Sequence, residues 1–202
     1  MRKSFVIALA PLLALALAAC SAPPPTEYTY PAWGFAVSFW APPKVTEAAV
    51  TADQLHHQLV ESDTAGRTFA VYAADGLRPS TTIDGPGPAA AAHAMASAMG
   101  GDVGVMTYAA TAAGVDGREF AITKNGKPYA TVRIFIVNGR FYEVGAQSLL
   151  GPDDPTVKTF LGSFRILPGP PAPPAAAADN APVHDDAVEQ ALARQAAATN
   201  AP

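Results

Sequence analysis

Hydrophobic and polar positions along this chain fall into short alternating runs divided by turn residues, the pattern of strands with a few helices between them. The clearest punctuation is Asn138-Gly139, which separates Thr131–Val137 from Arg140–Gln147. Asn-Gly suits a two-residue hairpin turn because both positions tolerate positive φ. Such a turn sets Val137 opposite Arg140, Phe135 opposite Tyr142 and Arg133 opposite Val144. Phe135, Val137, Tyr142 and Val144 then share one face, and Val132, Ile134, Ile136 and Phe141 the other. Apolar on both sides, this hairpin is predicted to lie inside the fold.

Asn125-Gly126 predicts a second hairpin, joining Arg118–Lys124 to Lys127–Val137, with two registers open. A strict two-residue loop sets Arg118 opposite Arg133, which opposes like charges. A three-residue loop ending at Lys127 sets Glu119 opposite Arg133. With Val105–Ala112 as a further strand, reached through a loop containing Asp116-Gly117, a four-strand antiparallel meander spans about 104–147. Earlier strands are expected at Ala36–Trp40, Leu55–Glu61 and Thr68–Ala73, and a closing one at Ser163–Leu167. Two segments carry helical spacing instead: Pro88–Met99, which begins with proline and stops before Gly100-Gly101, and Pro155–Leu161, which follows Asp153-Asp154 and stops at Gly162.

The start of the chain has a different character. Phe5–Leu17 is an almost unbroken apolar run behind Arg2 and Lys3. It is shorter than the roughly 20 residues a membrane-spanning helix needs, and it has the flanks of a secretory signal. Leu17-Ala18-Ala19-Cys20 follows at once and resembles the lipobox of bacterial lipoproteins. The resemblance implies cleavage before Cys20, diacylglyceryl modification of its thiol and acylation of the new amine. Cys20 is the single cysteine in 202 residues, so its acylation leaves no thiol for a disulfide, a nucleophile or a metal. Ser21 after the cut implies delivery to the outer membrane, by the sorting rule known for enteric bacteria. The expected divisions are therefore residues 1–19 as signal peptide, 20–27 as lipidated cysteine and proline-rich spacer, 28–167 as one globular domain, and 168–202 as a disordered Pro/Ala-rich tail in which 185–197 has the spacing of a short helix.

Without Arg2 and Lys3, 11 lysines and arginines face 17 aspartates and glutamates, a formal charge of −6. Clustered cations dominate phosphate-backbone affinity, so nucleic acid is not an expected partner. The expected partners are the membrane, through acylated Cys20, and a protein or other envelope component.

Helices interspersed among antiparallel strands predict an α+β domain, an α/β/α sandwich with a mostly antiparallel central sheet. Gly34-Phe35-Ala36-Val37-Ser38-Phe39-Trp40-Ala41-Pro42-Pro43 resembles the opening strand of PsbP-like bacterial proteins, with Trp40 where that pattern usually has proline. Asp116-Gly117-Arg118-Glu119-Phe120, the Asn138-Gly139 hairpin and Phe160-Leu161-Gly162-Ser163-Phe164-Arg165-Ile166 resemble later parts of the same group. The resemblance implies the fold that group shares with the photosystem II subunit PsbP and the Mog proteins. Its motifs concern packing and turns, so they imply no activity.

Candidate chemistry is sparse, and neither a catalytic residue nor a cofactor or metal site is expected. His56 and His57 are neighbours on a strand, so their rings point to opposite faces and do not chelate one ion. No serine sits in a Gly-x-Ser-x-Gly elbow, and Asp84-Gly85-Pro86-Gly87-Pro88 has proline where a phosphate loop needs N–H donors. Glu119 and Glu143 are carboxylates that the strict register would set on one face, each with arginine close by. Arg118 and Arg133, on adjacent strands, form the candidate anion site. The expected function is a membrane-anchored envelope lipoprotein with a non-catalytic binding or accessory domain. The alternative is a lipoprotein binding a small apolar or anionic ligand between sheet and helix, using Trp33, Trp40, Tyr129 and Tyr142; a hydrolase is the third reading.

Overall fold

The computed structural model describes residues 23–48, 56–77, 81–111 and 113–168. The signal segment, Cys20 and the tail with its expected helix at 185–197 lie outside the described residues.

The elements are β1 (Thr26–Tyr30), a 3-10 turn (Pro31–Trp33), β2 (Phe35–Phe39), β3 (Lys44–Ala48), β4 (His57–Thr64), β5 (Arg67–Ala74), α1 (Pro86–Ala98), β6 (Asp102–Val103), β7 (Thr107–Ala110), β8 (Asp116–Lys124), β9 (Lys127–Val137), β10 (Arg140–Gln147), α2 (Pro155–Ser163) and β11 (Arg165–Ile166). Eight strands form a large sheet in the order β3-β4-β5-β10-β9-β8-β6, with β7 also paired to β8, and β1-β2-β11 form a small one. Every pairing among the described residues is antiparallel. The fold is thus α+β, a mostly antiparallel sheet with two helices.

β10 pairs with β9 in the register that the Asn138-Gly139 turn predicts, with Tyr142 opposite Phe135 and Val144 opposite Arg133. Its two apolar faces enter two separate cores. Phe135, Tyr142 and Val144 pack with Phe35, Val37 and Phe39 of the small sheet and with Val157, Phe160 and Leu161 of α2. Val132, Ile134 and Phe141 pack with Ala91, Ala92, Met95 and Ala96 of α1. The small sheet therefore shares one face of the large sheet with α2, and the sequence pattern did not anticipate that layer. Its outermost strand, β1, begins inside the stretch expected to be spacer, and β3 was likewise unexpected. β1 and β3 are mostly exposed, so neither carries the apolar run by which a buried strand is recognised.

The 118–137 hairpin settles between the two expected registers. Its turn has two residues, with Lys124 opposite Lys127, and a bulge beyond Thr123 then shifts the pairing by one, so that Glu119 faces Arg133. One extra residue in a strand reverses which face every later side chain joins. Gly117 lies within β8 and not in a loop. A Cβ there would stand 2.5 Å from the Phe135 ring and 2.7 Å from the Ile134 carbonyl oxygen, so glycine permits the close approach of β8 to β9.

Candidate functional site

The bulge separates the two arginines of the expected anion site. Arg133 stands opposite Glu119, whereas Arg118 stands opposite Ile134, so the two side chains project from opposite faces. Each is also engaged locally. Arg133 Nε donates to Glu119 Oε2 at 2.6 Å and Nη1 to the Leu161 carbonyl at 3.2 Å. Arg118 donates to Asp84 and to the Gly117 carbonyl, and its guanidinium lies 5.5 Å from the Tyr108 ring centroid. The structure does not bring Arg118 and Arg133 together. For the same reason Glu119 and Glu143 part company: Glu119 shares the face of Arg133, and Glu143, opposite Ile134, the other.

The structure instead assembles a polar cluster at the end of the large sheet where β10 begins. Arg140 follows the Asn138-Gly139 turn directly, so its side chain lies on the same face as Tyr142, beneath the Pro31–Trp33 turn. Asp75 follows β5, held by its N–H to the His56 carbonyl at 2.9 Å. Arg140 and Asp75 are both buried and form a two-pronged pair, Nε to Oδ1 at 2.5 Å and Nη2 to Oδ2 at 2.9 Å. A fork on a carboxylate is a strong form of charge-assisted bond. Burial works against the guanidinium charge, yet the hydrogen bond and charge of Asp75 outweigh it and hold the Arg140 pKa above its ordinary value.

Trp33 closes the cluster, its ring 5.1 Å from the Arg140 guanidinium and its carbonyl accepting from the Tyr142 hydroxyl at 2.9 Å. Gly34, at φ 68°, makes this fit possible, because a Cβ there would lie 3.2 Å from the Tyr142 hydroxyl. His56 forms the outer wall. Its ring centroid is 4.7 Å from that of Trp33, its Nε2 is 3.1 Å from Glu47 Oε1, and its Nδ1 is 3.7 Å from Asp75 Oδ2. His57 turns the other way, its ring 5.2 Å from that of Tyr72. The histidine pair therefore separates as a strand requires.

Chemically, the cluster is closed on itself. Both His56 nitrogens face carboxylates, and among the described residues no hydroxyl or thiol is bonded to the ring. No group of three His, Cys, Asp or Glu side chains among the described residues is arranged to hold a metal. The four aromatics of the expected ligand site also divide: Trp33, Trp40 and Tyr142 join the small-sheet core, and Tyr129 the helix-side core.

A second polar feature lies on the face toward α1. Glu143 stands opposite Tyr72 across the β10–β5 pair. Both are buried, and neither Glu143 Oε2 nor the Tyr72 hydroxyl has a hydrogen-bond partner among the described residues. Burial pushes the Glu143 carboxyl from 4.5 up to about 8. Tyr72 is pushed above its ordinary value, by burial first and then by the charge of Glu143. Sequence reasoning noted Glu143 as a carboxylate and expected arginine beside it. Asp75 and Arg140, 65 positions apart, carried no local signal of their pairing beyond the turns that precede or follow them.

No family model matches the chain, and no curated protein matches it. Among solved structures, it is similar to the solution structure of cyanobacterial PsbP (CyanoP) from Synechocystis sp. PCC 6803, at a TM-score of 0.47 and 7% identity, over 70% of this chain and 92% of that one. A likeness at that level carries nothing about what the chain binds or does.

Proposed function

We propose that this chain is a lipid-anchored protein of the bacterial cell envelope, facing the periplasm from the outer membrane, whose domain binds a protein or another envelope component without catalysis. The observation that carries the reading is Leu17-Ala18-Ala19-Cys20 directly behind the apolar run, with β1 opening at Thr26, six residues beyond the cysteine. Two or three acyl chains anchor firmly where a single one does not. We take the domain to be a PsbP-like α/β/α sandwich, on the strength of the Gly34–Pro43 and Phe160–Ile166 motifs. The non-catalytic part of the reading is supported by the closed Arg140–Asp75–His56 cluster and by the engagement of Arg118 with Asp84 and of Arg133 with Glu119.

The anchor is tested by metabolic labelling with an alkyne fatty acid in a bacterial host. Wild-type protein takes the label and fractionates with membranes; Cys20→Ala loses both properties. An unlabelled wild-type protein would overturn the reading. The partner is sought by crosslinking in intact cells, comparing what wild-type and Cys20→Ala proteins capture.

One observation favours a second reading, a small ligand with an apolar body and a hydrogen-bonding group on the α1 side of the sheet: the oxygens of Glu143 and Tyr72 that lack a partner among the described residues. Buried polar atoms of this kind call for an explanation. A ligand screen read by thermal shift, repeated on Glu143→Gln, separates this reading from the first.

A further inference from the structure

The N-terminal side of the domain and the loop between β10 and α2 lie at one end of the molecule. Thr26 opens β1 opposite Phe39 of β2, and Trp40, the residue after Phe39, has its ring 5.2 Å from that of Phe69 near the start of β5. Phe69 stands opposite Ala146, one residue before β10 ends. The chain then runs through Ser148, Leu149, Leu150 and Gly151, where the two leucines are 75% and 67% exposed. A lone exposed leucine needs no explanation, but these two are consecutive and are held outward by a loop whose polar groups are turned in. Ser148 N–H donates to the Tyr129 carbonyl at 2.9 Å, and its hydroxyl donates to Asp154 at 3.1 Å while accepting from the Leu150 N–H at 3.2 Å. Gly151 sits so close to Pro128 that a Cβ would lie 2.9 Å from its ring.

Pro128 follows Lys127, and Lys127 stands opposite Lys124 across the Asn125-Gly126 turn. Like charges directly opposite are unfavourable, and neither lysine has an ion pair among the described residues. The other cations of this end do: Lys44 pairs with Glu61, Arg67 with Asp154 and Lys158 with Asp153. Of the remaining acids here, Asp63 accepts from the Thr68 hydroxyl, and Asp102 lies opposite Thr123.

We propose that Leu149 and Leu150, with Lys124 and Lys127, form a membrane-contact face that seats the domain on the bilayer to which Cys20 tethers it. The proposal rests on the anchor reading above. Six residues from Cys20 to Thr26 reach at most about 20 Å, so the lipid surface is close to the end of the domain that carries this patch. The leucines enter the boundary between headgroups and acyl chains, and the lysines meet anionic headgroups. This seating also orients the molecule. The far end of β10, about 25 Å away at strand rise, then points from the membrane with Arg140, Asp75, His56 and the Asn138-Gly139 turn.

The test uses full-length, processed, lipidated protein in vesicles of phosphatidylethanolamine and phosphatidylglycerol. Leu150→Cys supplies a single labelling thiol, Cys20 being acylated, and carries an NBD probe. Ala113→Cys, exposed in the loop between β7 and β8 at the opposite end, carries the same probe as control. The expected result is blue-shifted emission from position 150, quenched several-fold more by spin-labelled lipids than the probe at 113. Lys124→Glu/Lys127→Glu is expected to weaken that quenching. Equal, water-like emission from both positions in protein that floats with the vesicles overturns the contact face and leaves the anchor standing. Protein that does not float overturns the anchor and the contact face together. A blue shift at 150 in detergent without a bilayer, growing with protein concentration, assigns the patch to a second copy of the chain and also overturns the proposal.

Discussion

Glu143 and Tyr72 stand directly opposite each other on neighbouring strands, buried on the α1 side of the sheet, with Glu143 Oε2 and the Tyr72 hydroxyl both lacking a hydrogen-bond partner among the described residues. The carboxyl is shifted by burial from 4.5 to about 8, so between those pH values the unfolded chain has released a proton that the folded chain keeps. Stability is therefore expected to fall as pH rises from about 5 to 8, since it falls wherever the folded state binds more protons. Glu143→Gln removes the titration. Its stability relative to wild type, measured by urea unfolding at pH 5, 6.5 and 8, is expected to grow with pH by on the order of a few kcal/mol. A pH-independent difference would show that Glu143 is not buried as described.

The Arg140–Asp75 pair is expected to behave as a buried pair. Arg140→Met leaves the Asp75 carboxylate enclosed and should cost about 3–5 kcal/mol, whereas Arg140→Met/Asp75→Leu should cost less than that single change. Denaturant midpoints of the three proteins decide it. Because Trp33 lies against the guanidinium, its fluorescence, read in a Trp40→Phe background, reports whether the Pro31–Trp33 turn loosens.

Arg118 and Arg133 project from opposite faces and share no partner among the described residues. Their alanine substitutions are expected to add, within about 0.3–0.5 kcal/mol. A larger coupling energy in the double-mutant cycle would mean that the two do act as one site.

Ala65 adopts φ 51° in the Ala65-Gly66 turn between β4 and β5, the same left-handed backbone that asparagine adopts at 125 and 138. Alanine is strained there, so Ala65→Asn is expected to raise stability by about 0.5–1 kcal/mol. At Gly117 the opposite holds: Gly117→Ala drives a methyl into Phe135 and should cost about 1–3 kcal/mol. Thermal unfolding measures both.

What the sequence by itself determined was local. The two Asn-Gly turns, the β9–β10 register, the double-faced apolar hairpin and both helices could be read from spacing, with helix bounds moved by one or two residues, because turn chemistry and hydrophobic period act within a few positions. The opposed directions of His56 and His57 followed from strand alternation alone. The third turn was missed because Ala65 does not advertise its positive φ. Three things were decided only by tertiary structure. The bulge near Tyr129 sent Arg118 and Arg133 to different faces, and a one-residue shift has no signature in an otherwise regular strand. The small sheet covered one face, although its outer strand is too exposed to show a core pattern. And Asp75, Arg140, Trp33 and His56 met because four chain segments end at the same place, a coincidence of packing that no spacing along the chain encodes.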